Sequence, residues 1–178
     1  MNVPERYRLA LAAATSLIVV LIVAGAVLLL NQPGPAPVVS PTPTTVVSPS
    51  LDQTTPEGAV RSFFEAFAKA RKTDDPTLIV PFVTGKDSGA YRSVAAFLQG
   101  QKDVGKASVT TVLRIENPQV QPSDSTASVS FDYTEGGYNI DPKTGQALES
   151  PAVLPTTKVV AVVRQVAGRW LVESYETR

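Results

Sequence analysis

One run of 22 residues without a charge, Leu9 to Leu30, constrains this chain more than any other feature. Only Thr15, Ser16 and Gly25 interrupt its aliphatic side chains. As a helix it would be about 33 Å long, against a bilayer hydrocarbon core of roughly 30 Å. The apolar region of a cleaved signal peptide is shorter, about 7–15 residues. A cut after Ala26 would divide the run and leave Val27-Leu28-Leu29-Leu30 at the new N-terminus. A soluble core helix of this length, followed at once by a proline-rich tail, fits poorly. The run therefore reads as a retained single-pass signal-anchor, a transmembrane helix over residues 9–30 that places the protein in a cell membrane. Arg6 and Arg8 precede the run, and no Lys or Arg follows until Arg61. The positive-inside rule then puts residues 1–8 in the cytoplasm and everything beyond Asn31 outside.

Residues 31–54 carry Pro33, Pro35, Pro37, Pro41, Pro43 and Pro49 among Ser and Thr. Proline fixes φ and removes donors, so neither a helix nor a central strand forms here. Polyproline II is the favoured local state, with a reach of roughly 75 Å at about 3.1 Å per residue. The segment reads as a semi-rigid extracytoplasmic spacer. Its Ser/Thr/Pro mixture also suits O-glycosylation.

Residues 55–178 read as one α+β domain. Thr55-Pro56-Glu57 opens a helix: a capping oxygen, a proline at the first helical position, and an acid that complements the dipole. Val60, Phe63, Phe64 and Phe67 share one face, and the helix is expected to end near Arg71-Lys72. Lys69, Arg71 and Lys72 read as a basic cluster favoured by the helix C-terminus rather than as an anion site. Asp74-Asp75-Pro76 opens a short second helix with Leu78, Ile79 and Phe82 on its apolar side. Asp87 or Ser88 caps a third, with Tyr91, Val94, Ala95 and Leu98 as its stripe. Beyond Lys106 the period changes from 3.6 to 2. Val109, Thr111, Leu113 and Ile115 alternate with polar residues, although Val112 breaks the polar side. Val129, Phe131 and Tyr133 alternate likewise. TEGGYNIDPKTGQAL reads as an exposed hairpin with turn chemistry at Asp141–Gly145 and a bulge or bend at Gly136-Gly137. The almost wholly apolar TKVVAVVRQV suits a strand near the sheet centre, and Ala167-Gly168 turns it into RWLVESY. Helices grouped before antiparallel strands imply helices packed on one face of a bent sheet.

Two stretches, TPEGAVRSFFEAFAKARKTDDPTLIVPFV and KVVAVVRQVAGRWLVESYE, resemble the nuclear transport factor 2-like superfamily, SnoaL-like proteins included. The first is similar to the opening helix, short polar gap and second helix of that family. The second is similar to its closing hairpin, with Trp170 following Gly-Arg at the turn. The resemblance implies a cone of curved sheet closed by three helices. It also implies either a binding role in a bacterial cell-envelope complex or a pocket in the cone that serves a sensor or an isomerase-like enzyme. Family domains of this kind often pair through the sheet face, so a homodimer is an expectation of the resemblance.

Composition narrows the chemistry. Sixteen basic and sixteen acidic residues balance to zero, which gives no pull toward nucleic acid. Without cysteine there is no disulfide framework and no thiolate nucleophile; without histidine the usual general base and commonest metal ligand are missing. No zinc motif, calcium loop, phosphate-binding loop or nucleophile elbow occurs, and Glu135-Gly136-Gly137 is too short for a phosphate cradle. No cofactor or metal site is expected. If the cone were catalytic, its carboxylate and donor would come from Asp132, Glu116, Tyr133, Tyr138 and Tyr91. Alternation turns Asp132 and Glu116 away from the core, so both read as solvated strand-face acids. Tyr91, Phe63, Phe67, Tyr133 and Trp170 are the candidates for lining a pocket, and each also fits plain core packing. The expectation is a non-enzymatic, membrane-anchored extracytoplasmic binding domain with an envelope protein as partner.

Overall fold

This computed structural model of the protein describes residues 52–178. The expected anchor at 9–30, the N-terminal segment before it and all but the last residues of the spacer lie outside the described residues. Among the described residues no helix is long and apolar enough to cross a membrane.

The domain is α+β: helices come first, then one curved antiparallel sheet. Helix α1 spans Pro56–Thr73. Thr55 caps it, accepting a hydrogen bond from the Gly58 N–H at 3.1 Å, and Pro56 occupies the first position. Asp74 ends it in the left-handed region at φ 51. A 3₁₀ helix follows over Pro76–Phe82, capped by Asp75 through the Thr77 N–H at 2.9 Å. Its tighter winding turns Ile79 and Phe82 into the core but leaves Leu78 40% exposed, against the expected apolar side. Helix α2 spans Gly89–Asp103, with Ser88 as its cap.

The sheet contains β1 (Ala107–Ser123), β2 (Thr126–Ile140), β3 (Ala152–Val153), β4 (Thr157–Val166) and β5 (Arg169–Thr177). The order is β1-β2-β4-β5, with β3 beside the upper part of β2. Strand β4 lies between β2 and β5, the inner position its apolar sequence suits. Val159, Ala161 and Val163 of β4 pack under the helices with Val129 and Phe131 of β2. From above, α1 contributes Val60, Phe63, Phe64 and Phe67, and α2 contributes Val94 and Leu98. The opposite sheet face is mostly polar beside Val160 and the exposed Val162, and carries the ion pairs Lys158–Asp132 at 2.8 Å and Arg164–Glu173 at 2.7 Å.

Among the register shifts of the sheet, which include one between Glu116 and Gln119, two set which residues face the core. The β1–β2 register shifts between Thr110 and Val112, directly across from Gly136-Gly137. That shift is why Val112 breaks the alternation of β1. A Cβ on Gly137 would lie 2.0 Å from the Val109 carbonyl oxygen, so only glycine lets the strands close there. A second shift in β4–β5 pairs Val163 with Val172 but Ala161 with Tyr175, which turns both Val172 and Tyr175 inward.

The expected hairpin at Thr134–Leu148 is exposed only in its second half. β2 continues to Ile140, and Thr134 and Gly136 are buried, because β1 covers one edge of this part of the strand and the returning chain covers the other. The turn itself sits at Asp141–Gly145, where the Gly145 N–H donates to the Asp141 carbonyl at 2.8 Å and the Asp141 carboxylate accepts from the Lys143 N–H at 2.7 Å. The folded head also begins before Thr55. Gln53 accepts from the Trp170 N–H at 2.8 Å and donates through its side chain to the Pro81 carbonyl at 2.9 Å.

Candidate functional site

The site lies at the C-terminal end of α1. The apolar spacing of α1, Phe63 and then Phe67, continues one step of four residues to Arg71. Arg71 therefore leaves the basic cluster and turns inward, with its side chain only 16% exposed. The guanidinium carbon sits 5.6 Å from the Phe67 ring centroid and 5.2 Å from that of Phe97, so two rings hold the planar group. On β2 the inward face runs Val129, Phe131, Tyr133 and then Glu135. Arg71 Nη1 donates to Glu135 Oε2 at 2.6 Å, and the Tyr133 hydroxyl donates to the same oxygen at 2.6 Å.

Burial, with the Glu135 charge and hydrogen bond behind it, pushes the Tyr133 phenol far above its ordinary value. Burial raises Tyr175 as well, opposed by the positive charge of Arg71. Both phenols stay protonated at neutral pH. Beneath them Phe63, Phe64, Phe67, Phe131 and Tyr175 fill the space between α1 and the sheet, with Phe64 4.9 Å from Tyr133. The interior is packed, so the open space lies at the mouth.

Two cavities meet there, divided by Arg71, Ser108 and Asn139. The first, about 220 Å³, lies against β2 and the returning chain and contains Glu135, Tyr138 and Glu149. The second, about 520 Å³, is an open groove beside the end of α2 and contains Phe97, Gln101 and Lys106. A polar chain forms the divide: the Gln101 amide donates to Ser108, whose hydroxyl donates to Asn139 Oδ1 at 2.8 Å, and Asn139 Nδ2 donates to Glu149 at 2.8 Å.

Of the residues singled out from sequence, Phe67 and Tyr133 stand at the mouth and Tyr138 lines the smaller cavity. Phe63 is fully buried core. Tyr91 is half-buried near the start of α2, about 15 Å along the helix from Gln101. Trp170 packs half-buried against the core where β5 begins. Asp132 lies on the polar sheet face, where Asn117 and Lys158 hold its carboxyl below the usual range. Exposed Glu116 is directly across from it on β1. Glu135, Phe97, Gln101, Ser108 and Asn139 were not singled out as site residues, and Arg71 was read with Lys69 and Lys72 as a helix-end cation rather than as part of an anion site. For Arg71 and Glu135 the signal was present: each is the next polar residue on a face already read as apolar.

The chain matches no protein-family model and no curated protein. Among solved structures it is similar to the intermembrane-space region of chloroplast protein ARC6, with a TM-score of 0.52 at 16% identity over 72% of this chain and 98% of that one. A nuclear transport factor 2-like superfamily protein from Salmonella enterica serovar Typhimurium aligns with a TM-score of 0.46 at 14% identity, over 67% of this chain and 87% of that one. ActVI-ORFA from Streptomyces coelicolor aligns at 0.47 and 15%, over 68% and 93%. At such identities the ARC6 likeness speaks to fold alone: helices on a curved antiparallel sheet.

Proposed function

We propose that this protein is a single-pass, membrane-anchored extracytoplasmic binding domain that works without catalysis, as an accessory or subunit of a bacterial cell-envelope complex. The observation that carries the non-catalytic part is the double engagement of Glu135. A general acid or oxyanion donor needs a free proton. Arg71 and Tyr133 both donate to the one carboxylate oxygen, and the Tyr133 proton is spent on it. Such a cluster holds shape and charge.

The anchored layout rests on the apolar run and the charges that flank it. It also agrees with how the head receives its spacer. Gln53 is tied down beside Trp170 and Pro81, at the N-terminal end of α1. Arg71 lies fifteen residues beyond Pro56, about 22 Å along the helix. The mouth thus opens at the end of α1 opposite Gln53. The ARC6 region, a like fold named for an intermembrane space, suits the same setting.

A second reading, a small-molecule sensor, is favoured by the two cavities that meet at Arg71.

Reporter fusions to Arg178 test the topology. Alkaline phosphatase at that position is expected to be active and green fluorescent protein dark. Bright fluorescence with inactive phosphatase would place the head in the cytoplasm and refute the proposal.

A further inference from the structure

We infer that the groove of about 520 Å³ beside the end of α2 binds an organic monoanion, a carboxylate attached to an apolar body. The inference rests on reading the head as a binding module. Charge is divided between the two cavities. Glu135 and Glu149 both line the smaller one; the groove is lined by two cations, Arg71 and Lys106, and by no acid. Of the guanidinium nitrogens only Nη1 has a partner among the described residues, and Nε is buried without one. With Phe67 and Phe97 beside its guanidinium, Arg71 retains Nη2, the unpartnered nitrogen that is not shut off from solvent, for a second carboxylate. Lys106 forms no ion pair among the described residues, and its exposed ammonium adds charge without a fixed direction.

Apart from Gln101, Ser108 and Asn139 of the polar divide, the rest of the groove is apolar. Phe97 is 43% exposed and Val104 67%, and both line it with Ala96. Exposed apolar surface converging on a fixed cation suits an amphipathic anion. A phosphate fits less well. The backbone N–H groups of Val104, Gly105 and Lys106 all donate to the closing carbonyls of α2, so no amide cradle is left for a dianion.

The same chemistry comes from two sources, a free acid or the C-terminus of a chain with an apolar last residue. The test is calorimetric titration of the full-length protein in nanodiscs of zwitterionic lipid. The probes are phenylbutyrate, its neutral amide, N-acetyl-leucine and inorganic phosphate. Saturable binding of at least one carboxylate is expected, with the amide weaker by roughly tenfold or more. A preference for N-acetyl-leucine identifies a chain terminus, and a preference for phenylbutyrate a free acid. Arg71→Gln is expected to weaken the carboxylate by a similar factor, and Lys106→Gln and Phe97→Ser by several-fold each. Because Arg71 also holds Glu135, the exposed Lys106 and Phe97 variants keep the test readable if Arg71→Gln melts early. Heat from partition into lipid persists in every variant and is thereby subtracted. Absence of saturable heat from both carboxylates, equal affinity for the amide, indifference to all three substitutions, or phosphate binding tighter than either carboxylate would each overturn the inference. Failure of the reporter fusions, by contrast, would remove the tether and leave this site standing.

Discussion

Arg71 and Glu135, 64 positions apart in sequence, meet at 2.6 Å with their side chains only 16% and 18% exposed. The contact ties the last turn of α1 to the upper half of β2 and closes the mouth of the domain above its aromatic core. A pair this deep gains little net stability over an apolar replacement, because both charges lose water. Its worth is positional: the pair fixes where the two cavities begin and how charge is divided between them.

Removing one partner leaves the other charge buried. Glu135→Leu and Arg71→Leu are each expected to lose about 3–5 kcal/mol in urea denaturation, while the double replacement loses much less than their sum. Additive losses would show that the two residues do not depend on each other.

Two glycines should respond in opposite directions to alanine. Gly137→Ala places a methyl group 2.0 Å from the Val109 oxygen and is expected to cost at least about 2 kcal/mol. Gly100→Ala, within α2 with open space around it, should add about 0.5–1 kcal/mol. Thermal melts of both variants check this. A neutral Gly137→Ala would mean that β1 and β2 do not close as tightly as described.

Asp74 carries a carboxyl that burial pushes above the ordinary value, opposed by Lys102, and its Oδ1 has no partner. The folded state holds that proton more firmly than the unfolded chain. The contribution is therefore full below the ordinary carboxylate range and is lost as pH rises through the raised folded value. Asp74→Asn removes the charge and places in the left-handed region a residue that tolerates it. Stability at pH 7 should rise by up to about 1 kcal/mol, and the melting temperature should change less between pH 7 and pH 4 than in the parent. A loss of stability at pH 7 would contradict this account.

The Tyr133 phenol is also raised, so its contribution is present below the ordinary phenol range, about 10, and is lost as pH climbs beyond it. Tyr133→Phe should shift the alkaline unfolding limb to higher pH while losing about 1 kcal/mol at pH 7, the worth of the hydrogen bond to Glu135. Unfolding followed by circular dichroism between pH 8 and 12 checks both parts.

Local patterns made the helices legible. Thr55-Pro56, Asp75-Pro76 and Ser88 each stand where a cap forms, because capping chemistry acts over three or four residues. The interior place of β4 followed from its unbroken apolar run. What stayed hidden was non-local. Gly136-Gly137 marked a bulge, but not that the extra residue lies on β1 and reverses its facing, and the shift at Val162/Val163 turns Tyr175 inward; both depend on a partner strand. Arg71 and Glu135 were passed over because a charge at the end of an apolar face reads as the edge of the core. Only their meeting in space shows that the face continues through them.

The layout of tether and head has the most direct test in the lack of cysteine, which makes a single introduced thiol the only one in the protein. Lys143→Cys places it in the exposed turn after β2. In intact spheroplasts carrying the full-length chain, a membrane-impermeant maleimide is expected to label this thiol as fully as it does after lysis. Labelling that appears only after lysis would put the head on the cytoplasmic side and contradict the account.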